Sequence, residues 1–256
     1  MPAVYLYCIV DAPTAPSLPR APAGVPGAGP LIHAPLGPSL WAIAAEVPLE
    51  DYGAEALERT LRDMERVAPI ALAHEAVIEY LFRKRGVTVV PMKLFTIFST
   101  LERAVEETGA RRREIRAAAK RIAGCEEWGV RLTRAAPAKA PRAVEAGKPA
   151  SGAAFLAARR DAQEAARERA RTAADAAEAG YRALAGVARD ARRRDDAPQG
   201  GVAPLLDAAF LVGRGSRARF RTVARRLAAS GGANGTALTL TGPWPAYNFV
   251  QSAARS

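Results

Sequence analysis

The sequence predicts an α+β fold in two domains. Aromatic and β-branched runs of strand length alternate with stretches of helical periodicity, a long Ala-rich segment fills the middle of the second half, and an Ala/Pro/Lys stretch separates the halves. At 256 residues the chain can bury a sizeable core, and two domains are as natural as one.

The run Val4-Tyr5-Leu6-Tyr7-Cys8-Ile9-Val10 reads as a strand ending at Asp11. Pro13, Pro16, Pro19, Pro22, Pro26 and Pro30 then exclude a regular element. Order resumes at residues 40–46, Leu-Trp-Ala-Ile-Ala-Ala-Glu, which can pair with the first strand. Leu57, Leu61, Met64 and Val67 recur at helical spacing, and Pro69 is expected to close that helix. A second helix carries Leu72, Ala76, Ile78, Tyr80 and Leu81 to the cationic end Arg83-Lys84-Arg85, with Gly86 as the stop. Residues 87–92 read as a short buried strand, and helical patterns return over 99–108 and 111–122. These elements make a first α+β domain over residues 1–124.

The second domain is expected over residues 125–241. It opens on the alternating run Trp128-Gly129-Val130-Arg131-Leu132-Thr133, followed by a flexible connection over 135–150. From an N-cap at Ser151 runs the Ala-rich helix, with Gly180 or Gly186 as possible breaks and Glu178 four residues before Arg182. Its face Phe155, Ala158, Ala162, Ala165, Ala173, Ala177, Leu184 and Val187 suits close packing on a sheet. The opposite face, Arg159, Gln163, Arg167, Glu168, Arg171 and Asp175, reads as solvated. A strand at 205–212, a helix from Ser216 to Ala229 and a strand at 237–241 complete the order strand, helix, strand, helix, strand. That order suggests a modified ferredoxin-like split sandwich. Residues 242–256 form an aromatic tail.

A net charge of +11 and a pI near 10.3 attract acidic partners without choosing among nucleic acid, anionic lipid and protein. The opening residues lack the cationic start of a signal peptide, and no segment nears the run of about 20 apolar residues that crosses a bilayer. A cytoplasmic protein with no membrane partner is expected. Cys8 and Cys125 are too few for a disulfide framework and read as small buried hydrophobes.

Little in the sequence promises chemistry. His33 and His74 lie in different elements, and His74-Glu75-Ala76-Val77-Ile78 has Ile78 where a zinc helix needs its second histidine. His74, placed at the start of the second helix, reads as a capping or packing residue. The pairs Glu106-Glu107, Glu126-Glu127 and Asp195-Asp196 are adjacent, so their side chains diverge and read as solvated charge. Gly213-Arg214-Gly215-Ser216-Arg217-Ala218 has the form of a dinucleotide loop, yet no acid follows Asp207 to hold a ribose. A tight turn capped by Ser216 is the simpler reading. No catalytic residue, cofactor or metal is expected. Arg214, Arg217, Arg221 and Arg225 form a basic stripe opposite Phe220, Val223 and Leu227. The stripe supports an alternative, a nucleic-acid-binding module; the neighbouring strands lack the aromatic pairs with which such a sheet stacks bases, which argues against it.

The run Leu240-Thr241-Gly242-Pro243-Trp244-Pro245-Ala246-Tyr247-Asn248-Phe249-Val250 is the most specific segment, with Trp244, Tyr247 and Phe249 presented by a stretch stiffened by two prolines. It resembles the terminal motif of the gas vesicle protein GvpL/GvpF family. The opening Tyr5–Val10 run, residues 74–79, Val90-Pro91-Met92-Lys93, Glu127-Trp128-Gly129-Val130 and Ala209-Phe210-Leu211-Val212 follow the family order, so the likeness covers most of the chain. At Lys93-Leu94-Phe95-Thr96 the family reads closer to Arg-Phe-Gly-Thr, so Phe95 replaces a glycine and alters that loop. The resemblance implies a non-enzymatic accessory role at the gas vesicle, binding the hydrophobic shell protein GvpA and other accessory proteins during assembly. Partner contact is expected through Arg214, Arg217, Arg221, Arg225, Trp244, Tyr247 and Phe249.

Overall fold

The computed structural model describes residues 2–135, 152–194 and 203–250. The chain divides into two compact units, one running to Glu126 and resuming at Trp244, the other spanning Glu127–Pro243. The expected connection over 135–150, the Ser151 cap and the Asp195-Asp196 pair lie wholly or almost wholly outside the described residues.

The first unit is built on β1 (Ala3–Asp11), β2 (Ile32–Gly37) and β3 (Leu40–Val47), with helices α1 (Leu49–Tyr52), α2 (Ala54–Leu61) and α3 (Met64–Phe82). β4 (Thr88–Pro91), β5 (Ile97–Phe98), α4 (Leu101–Ala110) and α5 (Arg112–Ile122) follow. The sheet order is β2-β3-β1-β4, with β5 also on β1, and β1 runs antiparallel to β3, β4 and β5, as β2 does to β3. β1 is buried from Ala3 through Val10, as a central strand covered on both faces must be. Between Leu6 and Cys8 its register on β3 shifts by one residue. That bulge changes the phase of alternation, so Tyr5, Tyr7, Cys8 and Val10 all enter one core with Val77, Ile78 and Leu81 of α3.

The strand at 40–46 pairs with β1 as expected. The helix expected to close at Pro69 does not. α2 ends at Leu61, and α3 starts afresh at Met64, where the Asp63 carboxylate accepts the Glu65 amide at 3.0 Å. Pro69 therefore sits inside α3, near its first turns, and only its own missing N–H is lost from the ladder. Burial of Ile70, Val77, Ile78 and Leu81 outweighs that local cost. His74 consequently lies mid-helix, not at a helix start, and packs rather than caps. The strand β2 escaped the sequence reading because Pro35 and the glycine after Leu36 mask its alternation.

The second unit comprises β6 (Cys125–Arg134, from Glu127 on), α6 (Gly152–Ala185), β7 (Asp190–Arg193), β8 (Leu206–Gly213), α7 (Arg217–Gly231) and β9 (Thr236–Trp244). Its sheet runs β7-β8-β6-β9. Trp128, Val130 and Leu132 of β6 and Leu206, Ala208, Phe210 and Val212 of β8, spaced by two, form one core with Ala177 and Leu184 of α6 and Phe220 and Ala224 of α7. On the other side, Asp207 is held by Arg131 at 2.6 Å and Arg194 at 2.7 Å.

α6 passes through Gly180 unbroken and ends just before Gly186. Gly180 is buried, and a Cβ there would lie 3.5 Å from Leu132, so the residue marks close packing, not a break. The expected apolar face is only half used. Ala173, Ala177 and Leu184 are buried, whereas Phe155 is 52% exposed and the helix is exposed as far as Arg169. A 34-residue helix is roughly 50 Å long and strands of eight to ten residues span about 30 Å, so the sheet covers only the C-terminal part.

Two further expectations fail. Glu126 and Glu127 are buried, at 0% and 4% exposure, because they open the central strand β6, and neither is without a partner. Ser216 makes no capping bond: a 3-10 turn over Arg214–Ser216 leads directly into α7 and already holds Ser216 in helical conformation. The last element is α8 (Tyr247–Val250), which belongs to the first unit.

Candidate protein-interaction site

The terminal motif is partly strand and partly helix. β9 carries Gly242, Pro243 and Trp244, with a cis bond between Gly242 and Pro243, and Pro is tolerated because β9 is an edge strand. Trp244 is 42% exposed, whereas Ala246 and Phe249 are buried. The Phe249 carbonyl accepts from Arg121 Nη2 at 2.6 Å, and the Tyr247 hydroxyl donates to the Glu75 carboxylate. α8 thus docks on α5 and beside β4. Phe249 is closed to a partner while that docking lasts.

Beside α8 lies a cleft of about 340 Å³ lined by His74, Glu75, Met92, Lys93, Leu94 and Tyr247. His74 stacks on Tyr7 at 5.8 Å and meets the edge of Tyr5 at 5.6 Å. The Tyr5 hydroxyl accepts the Phe95 amide at 3.1 Å, so its own proton points to His74 Nδ1, also at 3.1 Å. The imidazole proton then sits on Nε2. Burial lowers the His74 pKa to about 4 and raises that of Glu75. The imidazole is neutral at pH 7, a core group and not a proton shuttle at that pH.

Phe95 has φ 62°, the left-handed conformation that favours glycine. The loop keeps the glycine-type backbone and the phenyl ring packs against the core around Tyr5. Phe95→Gly should therefore be more stable than Phe95→Ala by about 1 kcal/mol, because alanine loses the packing and keeps the backbone cost. Urea midpoints of the two variants measure this; the reverse order would contradict it.

The basic stripe lies in the second unit and the aromatic motif, from Trp244 on, in the first. Arg214, Arg217, Arg221 and Arg225 are all exposed, with Phe220 and Ala224 buried beneath them. A Cβ on Gly213 or Gly215 would meet nothing within 4 Å, so neither glycine is required by a tight approach and the dinucleotide pattern has no structural counterpart. The sequence did not mark three large apolar side chains of the first unit as exposed. Leu61 at 59% exposure ends α2, and Met64 at 74% and Leu72 at 72% stand on α3. The sequence shows them as helical periodicity, which does not say whether that face is covered.

Among the described residues no helix is long and apolar enough to cross a membrane, and no cluster of His, Cys, Asp or Glu could hold a metal ion. The family model of gas vesicle synthesis protein GvpL/GvpF matches residues 3–251. The crystal structure of gas vesicle protein GvpF from Anabaena sp. PCC7120 superposes with a TM-score of 0.68 at 15% identity, covering 98% of this chain and 97% of that one. GvpF from Microcystis aeruginosa gives 0.66 at 15% identity, over 97% and 99% of the respective chains. No curated protein matches by sequence. At that identity the two crystal structures establish a shared fold, and the match along nearly the whole sequence establishes kinship: the chain belongs to the gas vesicle synthesis protein GvpL/GvpF family.

Proposed function

We propose that the protein is a non-enzymatic accessory or minor structural component of gas vesicles, residing in the cytoplasm and at the vesicle, that binds the hydrophobic shell protein GvpA and other accessory proteins during assembly. Family membership carries this reading. The exposed Leu61, Met64 and Leu72 support it, because exposed large apolar side chains offer a hydrophobic subunit a place to bury surface. Trp244 and the half-buried Tyr247 add aromatic contact, and the Arg214, Arg217, Arg221 and Arg225 stripe suits acidic accessory partners. We further read the second domain as ferredoxin-like, since β6, α6, β7, β8, α7 and β9 follow the βαββαβ order. We assign this domain residues 125–241.

The test is direct binding of purified shell protein at low salt. Met64→Glu combined with Leu72→Glu should weaken capture roughly tenfold or more, as loss of two apolar contacts implies, with the far-UV spectrum unchanged. Shell protein that ignores the unaltered chain sinks the proposal.

A further inference from the structure

α5 carries its charge on one face. Ile115, Ala118, Ala119 and Ile122 are buried, while Arg112, Arg113, Arg116, Ala117 and Lys120 line an open groove of about 530 Å³ with Pro38 from the turn between β2 and β3. No carboxylate lines it. The only acid of this helix, Glu114, faces Arg111 at 3.3 Å, and the Arg116 guanidinium donates to the Pro38 carbonyl at 2.6 Å. Among the described residues none of the four groove cations makes an ion pair.

The placement is unfavourable twice over. Arg112 and Arg113 stand in the first turn, at the positive end of the helix dipole. Arg112, Arg116 and Lys120 succeed one another at four-residue intervals, where like charges repel. An external anion relieves both.

We propose that this groove binds an acidic helical segment of a partner protein, one that presents carboxylates at four-residue intervals. Successive groove cations lie about 6 Å apart along α5, the same interval as Asp or Glu at i, i+4 and i+8 of a second helix, so three pairs can close together. Arginine forks suit carboxylates bidentately. Nucleic acid fits less well, because Pro38 and Ala117 are the only uncharged lining residues and neither offers an aromatic face to a base. This surface uses none of the residues assigned above to shell-protein binding.

The experiment measures binding of the full chain by fluorescence anisotropy to three labelled probes. These are a helical peptide with glutamates at four-residue intervals, the same peptide with glutamines, and oligothymidylate. The glutamate peptide should bind and the glutamine peptide should not. Arg113→Gln with Lys120→Gln, which leaves the Arg116 to Pro38 bond intact, should weaken the glutamate peptide roughly tenfold. The charge-matched control Arg159→Gln with Arg167→Gln on α6 should change it less than about twofold. Equal loss in both variants reduces the effect to net charge and overturns the proposal. So does tighter binding of oligothymidylate that is lost with the groove substitutions, which assigns the groove to nucleic acid. Shell-protein binding measured in parallel should be unaffected by the groove substitutions, which separates this proposal from the family reading.

Discussion

Replacing Phe249 with alanine should destabilise the first unit by about 3–5 kcal/mol, the usual cost of deleting a fully buried aromatic side chain. The ring is 0% exposed although it stands near the end of the chain. Its backbone carbonyl is also held by Arg121, so the side chain and the main chain anchor α8 together. Urea unfolding of Phe249→Ala against Trp244→Ala provides the comparison. Trp244 is 42% exposed and should cost about 1 kcal/mol or less. Equal midpoints for the two variants would contradict the docked arrangement. The terminal motif is thus a structural latch of the first unit: of its three aromatic side chains Phe249 is buried, Tyr247 half-buried and Trp244 exposed.

Acidification should cost the protein about 3 kcal/mol through His74 alone. Burial lowers its pKa in the folded chain from 6.5 to about 4. The unfolded chain therefore binds a proton between about pH 6.5 and pH 4 that the folded chain refuses, so stability is complete above pH 6.5 and falls toward pH 4. Glu75 acts in the opposite sense. Its raised pKa means that the folded state pays for ionising it at neutral pH and recovers that cost as pH falls. Chemical unfolding at pH 7 and pH 4.5 reads the sum, and His74→Asn, which cannot titrate, should flatten the loss seen in the unaltered protein. An identical pH slope in His74→Asn would remove His74 as the cause.

Much of the element order was legible because burial leaves its period in the sequence. The aromatic β1, the strand at 205–212 and the helix at 111–122 each announce one face or two by simple spacing. What misled was punctuation and length. Pro69 looked like a stop, yet Asp63 had already supplied a start, and a proline near the first turns of a long helix removes little. The four-residue strand β7 has no side-chain signature of its own; it is ordered by pairing with β8. The Phe155 to Ala165 face had the right spacing for a core but no sheet long enough to meet it.

By itself, the sequence determined that this is an α+β chain, and its terminal motif pointed to the GvpL/GvpF family. Only the tertiary structure decided which apolar and charged faces are used internally. Met64 and Leu72 stand on the same helix as Ile78 and Leu81, but the former pair is exposed and the latter buried. Phe249 and Trp244 belong to one motif and divide in the same way. Periodicity records that a face is apolar; whether a sheet, a helix or open solvent lies against it depends on contacts between residues far apart in the chain, which spacing does not encode.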